Sequence, residues 1–488
     1  MPLTSLDETP LRQIFFGGQN FGAIDSQNGI PHFTLQCHQW ILSRTGQWPR
    51  FHDLDIHDPG YNENTTECSS APVMSAPLNQ NDKVVLPDQH ILAFLLRTFM
   101  DSELSLIFPL VDSVLIEETA RMAYAVNSHE YISARACMFA FLSMVGTRFP
   151  DIKAASEINS DACAAEAQLA LSELLHHASI TNLQTMIMLL LHEMLRGRVN
   201  TASMYHALAC RTVFTLKGHT CIPPTHYNLT RKENENRHLR MLFWMCYVLD
   251  KDIALRTGQP PVIDDQFCNL TLPANYMETV FVDALIKTDA ELLKTIRVLD
   301  EELESWRISI PEELRPGLSV QKRANLDTMS SFKSMIHIEL SLNYYFLLNT
   351  IHAASGRFKV NVDGNRSGRK CRFGVQSSLD LSAEASRSTL RYLSTVASRL
   401  YMETFWVFCF YPTSALMTLF FNILHDPHHD FAMDDVELLC GASNVLQSMP
   451  IRRVTPRETM YLKRMDILVR ELSELSRLAM ARQMTKVK

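Results

Sequence analysis

The chain has 488 residues, more than one hydrophobic core usually serves, so two lobes or one long helical array are expected. Apolar residues make up 46% and charged residues 20%, which is typical of a globular protein and argues against a disordered one. The formal charge of -7 argues against a chain that grips DNA through a basic face of its own, because phosphate neutralisation supplies much of that affinity.

The cysteines indicate a reducing compartment. There are 11 of them, an odd number, and no secretory signal begins the sequence. Free thiols are therefore expected rather than a disulfide framework.

Residues 1–85 are predicted to be weakly structured. The run from Asp58 to Asn81 is rich in Pro, Asn, Ser and Thr, which is typical of a linker. One short helix is predicted from Cys37 to Ser43, ending at Gly46. The first lysine is Lys83, so this segment is a poor candidate for a nucleic-acid-binding arm.

From Leu86 onward the apolar residues follow the helical period. Asp88 is placed to cap the first of these helices. The further predicted helices are Ala134–Val145, Ala164–Leu175, Leu183–Leu195, Ser203–Leu216, Leu239–Leu255, Glu291–Trp306, Ser331–Ile351, Leu381–Leu400, Val436–Leu446 and Pro456–Met480. No strand-type alternation of useful length lies between them, so the fold class is predicted to be all-α, a multi-helix array or bundle.

The pattern suggests three further divisions. Residues 86–355 are expected to form the main helical domain, 356–378 a basic, glycine-containing loop, and 379–488 a C-terminal helical part that packs on the same domain. Two interpretations of the loop stay open, a nuclear-import or phosphate-contacting patch and an exposed connection, of which the second is favoured. The patch residues are Arg366, Arg369, Lys370 and Arg372.

One segment has the length of a membrane span. Thr404 to Leu424 carries no charged residue, but it contains Pro412 and lacks flanking Lys or Arg. A buried core helix broken near Pro412 is the favoured interpretation.

The most informative segment is the helix predicted over residues 237–256. It is apolar almost all round and charged toward its ends, a pattern typical of a helix in the middle of a domain. Because a buried unpaired charge is costly, Asp250 or Asp252 is predicted to pair with an arginine. Gly258 is predicted to end the helix in the left-handed conformation.

The run from Phe243 to Asp265, F-W-M-C-Y-V-L-D-K-D-I-A-L-R-T-G-Q-P-P-V-I-D-D, resembles the signature of the fungal-specific transcription factor domain, the middle homology region of fungal zinc-cluster regulators. Weaker matches in the same order extend the resemblance over roughly residues 86–450. The resemblance implies a regulatory role for the residues that carry the signature: Arg237, Arg240, Phe243, Trp244, Tyr247, Asp250, Lys251, Arg256, Gly258, Gln259, Pro260 and Pro261.

The sequence departs from this family at its start. Members usually begin with a binuclear zinc cluster of six closely spaced cysteines, whereas Cys37 and Cys68 are the only two in the first 136 residues here. The closest pair anywhere is Cys210 and Cys221, and zinc thiolate sites need tighter spacing. A zinc cluster is therefore not expected within this sequence.

Enzyme-like patterns are weak. The run from His425 to Asp430 could suggest a metal site, but an acidic turn after a buried helix is the favoured interpretation. His192 lacks a second histidine at the zinc-protease spacing. Asp434 and Asp435 more plausibly begin a helix than bind magnesium. No catalytic, cofactor-binding or metal-binding residue is predicted.

Methionines around the signature allow two interpretations. Met186, Met188, Met241 and Met245 could line a small-molecule pocket or fill the helix core, and the core is favoured.

The resemblance implies a nuclear regulator of transcription by RNA polymerase II, controlling a gene set of a metabolic or secondary-metabolite pathway. It would act through its helical domain and a DNA-bound partner, with other regulators or coactivators as partners, a small molecule as effector, no membrane association, and homo- or heterodimerisation left open. The alternatives are an all-helical metabolic enzyme and a cytosolic interaction scaffold.

Overall fold

The structure is a computed structural model that describes residues 13–25, 29–54, 84–102, 105, 108–126, 130–148, 152–170, 175–220, 230–271, 289–318, 329, 331–357, 366–400, 405–450 and 456–486. The linker expected from Asp58 to Asn81 lies outside these residues. The chain divides into two compact units, each considered by itself below. We call His57–Glu278 the middle unit, and Met1–Ile56 together with Thr279–Lys488 the terminal unit.

The described residues of the middle unit form helices joined by turns, and they contain no strand. Its helices are α2 (Gln89–Asp101), α3 (Ser113–Met122), α4 (Tyr131–Arg148), α5 (Lys153–Ser156), α6 (Ser160–Leu169), α7 (Ile180–Leu195), α8 (Val199–Thr215) and α9 (Arg231–Thr257), numbered after α1 (Leu35–Thr45) of the terminal unit. Helix α7 packs against α4 and α8, and α8 packs against α9. All residues of α7 from Asn182 onward are buried, so this helix forms the centre of the unit's core.

Side-chain caps explain where several of these helices begin. Asp88 accepts a hydrogen bond from the His90 amide at 2.8 Å, as the sequence predicted for α2. Asp112 caps α3 through the amides of Val114 and Leu115. Helix α3 was missed in the sequence, because at ten residues its apolar face is too short for a clear periodic pattern.

The terminal unit combines the two ends of the chain. Its remaining elements are the strands β1 (Gln13–Phe16), β2 (Gln19–Ile24) and β3 (Pro31–Phe33) and the helices α10 (Asp289–Ser309), α11 (Ser331–Ala353), α12 (Arg366–Val396), α13 (Phe405–Phe408), α14 (Phe410–His425), α15 (Ala432–Ser448) and α16 (Pro456–Lys486). The three strands form an antiparallel sheet in the order β1-β2-β3. The all-α prediction is confirmed, with this small sheet as the exception.

The prediction that residues 1–85 are weakly structured is wrong for residues 13–54. Besides the sheet, α1 covers the predicted short helix and ends at Gly46, whose φ is 81°. Phe21 and Trp40 pack on Phe421 of α14, with ring centroids 5.3 and 6.0 Å apart. Strands of three to six residues gain their order from such long-range contacts, which the local sequence does not reveal.

One glycine allows the sheet to dock on the terminal unit. Gly356 lies against β1, and its carbonyl oxygen accepts a hydrogen bond from the Gly18 amide at 2.8 Å. A Cβ at Gly356 would lie 2.4 Å from the Phe15 carbonyl oxygen, which is too close for a backbone atom that cannot move aside.

Gly356→Ala is therefore expected to lower the free energy of unfolding by about 1–3 kcal/mol, as other overpacked sites do. Urea denaturation measures the loss. Gly441→Ala is the matched control, since Gly441 lies within α15 with nothing within 4 Å of an added Cβ. This control is expected to gain about 0.5–1 kcal/mol from helix propensity. Equal stability of the two variants would contradict the close approach.

The loop predicted over 356–378 is wrong for residues 366–378, and residues 358–365 lie outside the described part of the chain. Helix α12 begins at Arg366, so the basic patch residues lie in its first two turns rather than in an exposed connection. Glycine costs about 1 kcal/mol inside a helix, which argued for a loop in the sequence. The cost is offset further along α12, where Leu390, Leu393 and Val396 are buried.

The apolar segment near the C-terminus forms α13 and α14. By length and composition Phe405–His425 could cross a membrane, but 72% of its most apolar window is buried inside the protein, as in the core helix of a globular unit. The predicted break near Pro412 falls at Cys409 instead, between the two helices. Pro412 occupies the first turn of α14, where its missing N–H would have no partner in any case.

Candidate functional site

The signature lies on α9, which runs from Arg231 to Thr257. A capping box between Thr230 and Glu233 begins this helix, and Gly258, with φ 71°, ends it as predicted. Leu242, Phe243 and Cys246 are fully buried, so the helix lies in the core of the middle unit. The chain then turns back along α9 through residues 258–271, which we call the signature turn.

Arg240 holds the far end of this turn. The side chain is 1% exposed, and its guanidinium donates hydrogen bonds to the carbonyl oxygens of Asn269 and of Thr271, the latter at 2.7 Å. Longer contacts of 3.5 and 3.4 Å reach the carbonyls of Gly218 and His219. One rigid fork of donors therefore fastens two backbone segments to α9.

Two aromatic residues of the signature support this guanidinium. Its carbon lies 4.8 Å from the ring centroid of Phe243 and 5.3 Å from that of Trp244. Such cation–π contacts favour a buried cation over the faces of aromatic rings. They account for two adjacent aromatic residues at positions 243 and 244.

Asp250 holds the near end of the turn. Its carboxylate is 2% exposed and accepts hydrogen bonds from the amides of Val262 at 2.8 Å and Ile263 at 2.9 Å. The predicted arginine pair is confirmed for Asp252, whose Oδ2 lies 2.7 Å from Nε of Arg256. Asp250 instead binds backbone amides, which a sequence pattern cannot indicate.

Lys251 joins the same turn from the next position. Its Nζ donates to the carbonyl oxygen of Ile263 at 3.0 Å and to Asp265 Oδ1 at 3.2 Å. The Tyr247 hydroxyl donates to the other oxygen of Asp265 at 3.2 Å. Burial, followed by the charge of Asp265, raises the pKa of Tyr247, so this hydroxyl stays protonated and can donate.

Four other signature positions make different contacts or are exposed. Arg237 forms a half-exposed ion pair at 3.1 Å with Asp112, the cap of α3, and so links α9 to that helix. The Gln259 amide donates to the Thr257 hydroxyl at 3.2 Å, while Pro260 and Pro261 are exposed.

The inner face of α9 carries a polar cluster that the sequence analysis missed. His206 of α8 is 1% exposed, with Nε2 2.9 Å from the Cys246 carbonyl oxygen and 3.2 Å from Cys210 Sγ. Its Nδ1 lies 3.7 Å from Asp250. The spacing of four between His206 and Cys210 on an apolar helix was the available signal.

The surroundings of His206 and Cys210 shift the pKa values of both side chains. Burial lowers the pKa of His206, but its contacts with Cys210, with the Cys246 carbonyl and with Asp250 outweigh this and raise the pKa above its ordinary value. A hydrogen bond with Cys246, together with burial, raises the pKa of the Cys210 thiol. A buried thiol of raised pKa behaves as a small apolar side chain rather than as a nucleophile.

Residues of the sequence patterns that were discounted as enzymatic pair with other side chains of the fold. His192 lies 3.4 Å from Asp161, and Asp435 forms a buried two-point pair with Arg387 at 2.6 and 2.9 Å. Asp434 and Asp435 both lie in the first turn of α15, as predicted. Among the described residues, no group of three His, Cys, Asp or Glu side chains could hold a metal ion.

The methionines lie in the core. Met186, Met188 and Met245 are at most 4% exposed and belong to the middle unit's hydrophobic cluster, while Met241 is half-buried. Their packing accords with the favoured interpretation.

A buried histidine makes the middle unit sensitive to acid. His238 of α9 lies 3.0 Å from the Gln184 amide nitrogen, and burial lowers its pKa to about 4. Because this is below the ordinary 6.5, His238 takes up a proton at a higher pH in the unfolded chain than in the folded one. A fall in pH therefore favours the unfolded chain. The contribution is complete above pH 6.5 and is lost progressively toward pH 4.

We expect the unfolding free energy to fall by about 2 kcal/mol between pH 6.5 and pH 5 through this group, at ~1.4 kcal/mol per pH unit. His238→Gln should remove that part of the pH dependence in urea titrations at the two pH values. His90→Gln, a change at an exposed position of α2, is the control and should leave it intact. An identical pH dependence in all three proteins would contradict the assignment.

Comparison with known proteins relates part of the helical array to a protein family. Residues 127–291 match the family model described as the fungal specific transcription factor domain. This range contains α7, α8, α9 and the signature turn. No solved structure matches the chain.

The curated relatives are also transcription regulators. Two proteins named ABC-transporter-regulating transcription factor, from Aspergillus oryzae and Aspergillus fumigatus, are each 28% identical over 296 residues, which is 52% of this chain and 32% of theirs. An uncharacterized transcriptional regulatory protein of Schizosaccharomyces pombe is 22% identical over 274 residues, 47% of this chain and 40% of that protein. The chain thus spans about a third of the length of the first two relatives.

The matched range includes α9 and the signature turn, which the buried charges of α9 hold in place. The family and the relatives' names are those of transcription regulators and not of enzymes. Over residues 127–291 the chain therefore resembles the fungal specific transcription factor domain.

Proposed function

We propose that this protein is a nuclear regulator of transcription by RNA polymerase II that acts through its helical regulatory domain. The observation that carries the proposal is the match of residues 127–291 to the fungal specific transcription factor domain. The geometry supports it, because the signature residues serve to fix a backbone turn rather than to build a reaction centre.

We further propose transporter genes as the first targets to test. The Aspergillus relatives are named for the regulation of ABC transporters. A metabolic pathway whose products must be exported would place transporter and pathway genes under one regulator.

Contact with DNA is proposed to be indirect for these 488 residues. Their formal charge is -7, and their cysteines lack the spacing of a zinc cluster. Sequence-specific binding would then come from a DNA-bound partner, with other regulators, coactivators and a small-molecule effector as the ligands of the helical domain.

Transcript profiling tests the function. Comparison of a deletion strain with the same strain carrying the wild-type gene should show a coordinated change in a gene set that includes membrane transporters. Loss of a metabolite with unchanged transcripts of its pathway would favour an enzyme and refute the proposal. Tethering the chain to a heterologous DNA-binding domain should change the output of a matching reporter.

Nuclear import is proposed to depend on the basic start of α12. Alanine at Arg366, Arg369, Lys370 and Arg372 together is expected to reduce nuclear accumulation of a tagged protein several-fold. Alanine at Arg97 and Arg211, two exposed arginines elsewhere, is the control. Equal nuclear signal in both variants would assign import to another segment.

A further inference from the structure

The signature turn is anchored from inside while it displays apolar side chains outward. Ile263 is fully buried and fixes the middle of the turn in the core. Its neighbours face solvent: Val262 is 50%, Phe267 73% and Leu270 37% exposed, and the preceding Pro260 and Pro261 are exposed as well. Five apolar side chains within eleven residues make a patch of the kind that marks a protein interaction site.

Three buried charged side chains anchor the turn. Arg240, Asp250 and Lys251 are 1%, 2% and 8% exposed, and burial of each charge carries a desolvation cost. All three side chains bind backbone groups of this turn. When the backbone of an exposed loop is already fixed, less conformational entropy is lost when a partner binds it. This is a reason to retain such buried charges.

The charge around the turn is negative. Asp264 is exposed, and the side chain of Asp265 is 54% exposed. With Asp250 they bring three carboxylates to the turn, against the ammonium of Lys251 and the guanidinium of Arg240, and both charges exposed within the turn are carboxylates. A partner that presents Lys or Arg beside its apolar side chains would complement this field, whereas an acidic partner would be repelled.

We propose that the outer surface of the signature turn, formed by Pro260, Pro261, Val262, Phe267 and Leu270 and bordered by Asp264, is a docking site for a protein segment with apolar anchors flanked by basic residues. This rests on the proposed function and names the class of partner through which the regulator acts. Phe267 is the central contact, because aromatic anchors dominate the affinity of such interfaces.

A random-peptide display selection on the purified full chain tests the proposal. The bound pool is expected to be enriched in peptides of net positive charge that carry at least two aliphatic or aromatic positions. Phe267→Asp should weaken these peptides by about tenfold or more, as loss of an interface anchor does. Asp264→Asn keeps an acceptor for the Gln266 amide but removes the charge, and should weaken binding several-fold while reducing its salt dependence.

Met204→Asp is the matched control, since Met204 of α8 is 67% exposed in the same unit. This variant should bind the selected peptides like the wild type. Selected peptides that are acidic, or that bind the Phe267→Asp protein equally well, would overturn the proposal. So would strong protection of Phe267 from hydroxyl-radical labelling in the free protein, because another part of the chain or a second copy would then cover the turn.

These readouts are independent of the proposed function. Peptide binding that fails while the transcript profile changes as expected would reject the docking site alone. Peptide binding that succeeds while transcripts stay unchanged would reject the regulatory role and leave the docking site standing.

Discussion

Replacement of Asp250 by alanine is expected to lower the free energy of unfolding of the middle unit by about 3–5 kcal/mol, the cost of removing one partner from a buried charged network. The change leaves the amides of Val262 and Ile263 without their acceptor. It also removes the carboxylate 3.7 Å from both Lys251 and His206. Urea denaturation monitored by Trp244 measures the effect, since no other tryptophan lies within residues 57–278.

Asp252→Ala provides the control two positions away. Its carboxylate is 24% exposed and pairs with the buried Arg256 within one turn of α9, an interaction worth about 1 kcal/mol, at the upper end for partly exposed pairs. We expect a difference of several kcal/mol between the two variants. Wild-type stability of Asp250→Ala would show that the backbone contacts of this carboxylate do not hold the turn.

Arg240→Lys is expected to cost on the order of 3 kcal/mol even though it conserves the charge. A single ammonium group cannot reproduce the fork that spans the carbonyls of Asn269 and Thr271 and reaches toward Gly218. Carbonyl oxygens that lose their hydrogen bond to Arg240 would stay buried without an equivalent donor, which adds a desolvation cost. The same urea titration, again with Trp244 as reporter, measures the loss.

Arg237→Lys is the matched control, one helical turn earlier. The side chain of Arg237 is 50% exposed and makes one ion pair with Asp112, which a lysine can reproduce. We expect less than about 1 kcal/mol of change, as for other exposed pairs. An equal loss of unfolding free energy at positions 237 and 240 would mean that the buried carbonyl contacts of Arg240 contribute no more to stability than an exposed ion pair.

Features encoded by local patterns could be predicted from the sequence. The helical period located the core helices, the glycine at 258 marked the end of α9, and the cost of a buried unpaired charge indicated that Asp250 or Asp252 has an arginine partner, which for Asp252 is Arg256. Each of these depends on residues within one or two helical turns. Helix type, helix ends and neighbouring pairs therefore follow from sequence alone.

Features that depend on distant backbone groups could not be predicted. Asp250 was one of two aspartates of which one was expected to pair with an arginine, and it binds amides twelve and thirteen positions away, whose positions depend on how the turn folds back. The sheet of residues 13–33 depends on packing against Phe421, some 400 residues later. Similarly, His206 takes its role from α9, a helix that only the fold brings against α8.

The central claim is that buried charges of α9 hold the signature turn in place, and amide hydrogen exchange tests it most directly. In the wild-type protein the amides of Val262 and Ile263 should be protected. Asp250→Ala, which removes both acceptor oxygens, should abolish that protection while the core amides of α7 keep theirs, and Asp252→Ala should change neither. Retained protection of the two turn amides in Asp250→Ala would contradict the account.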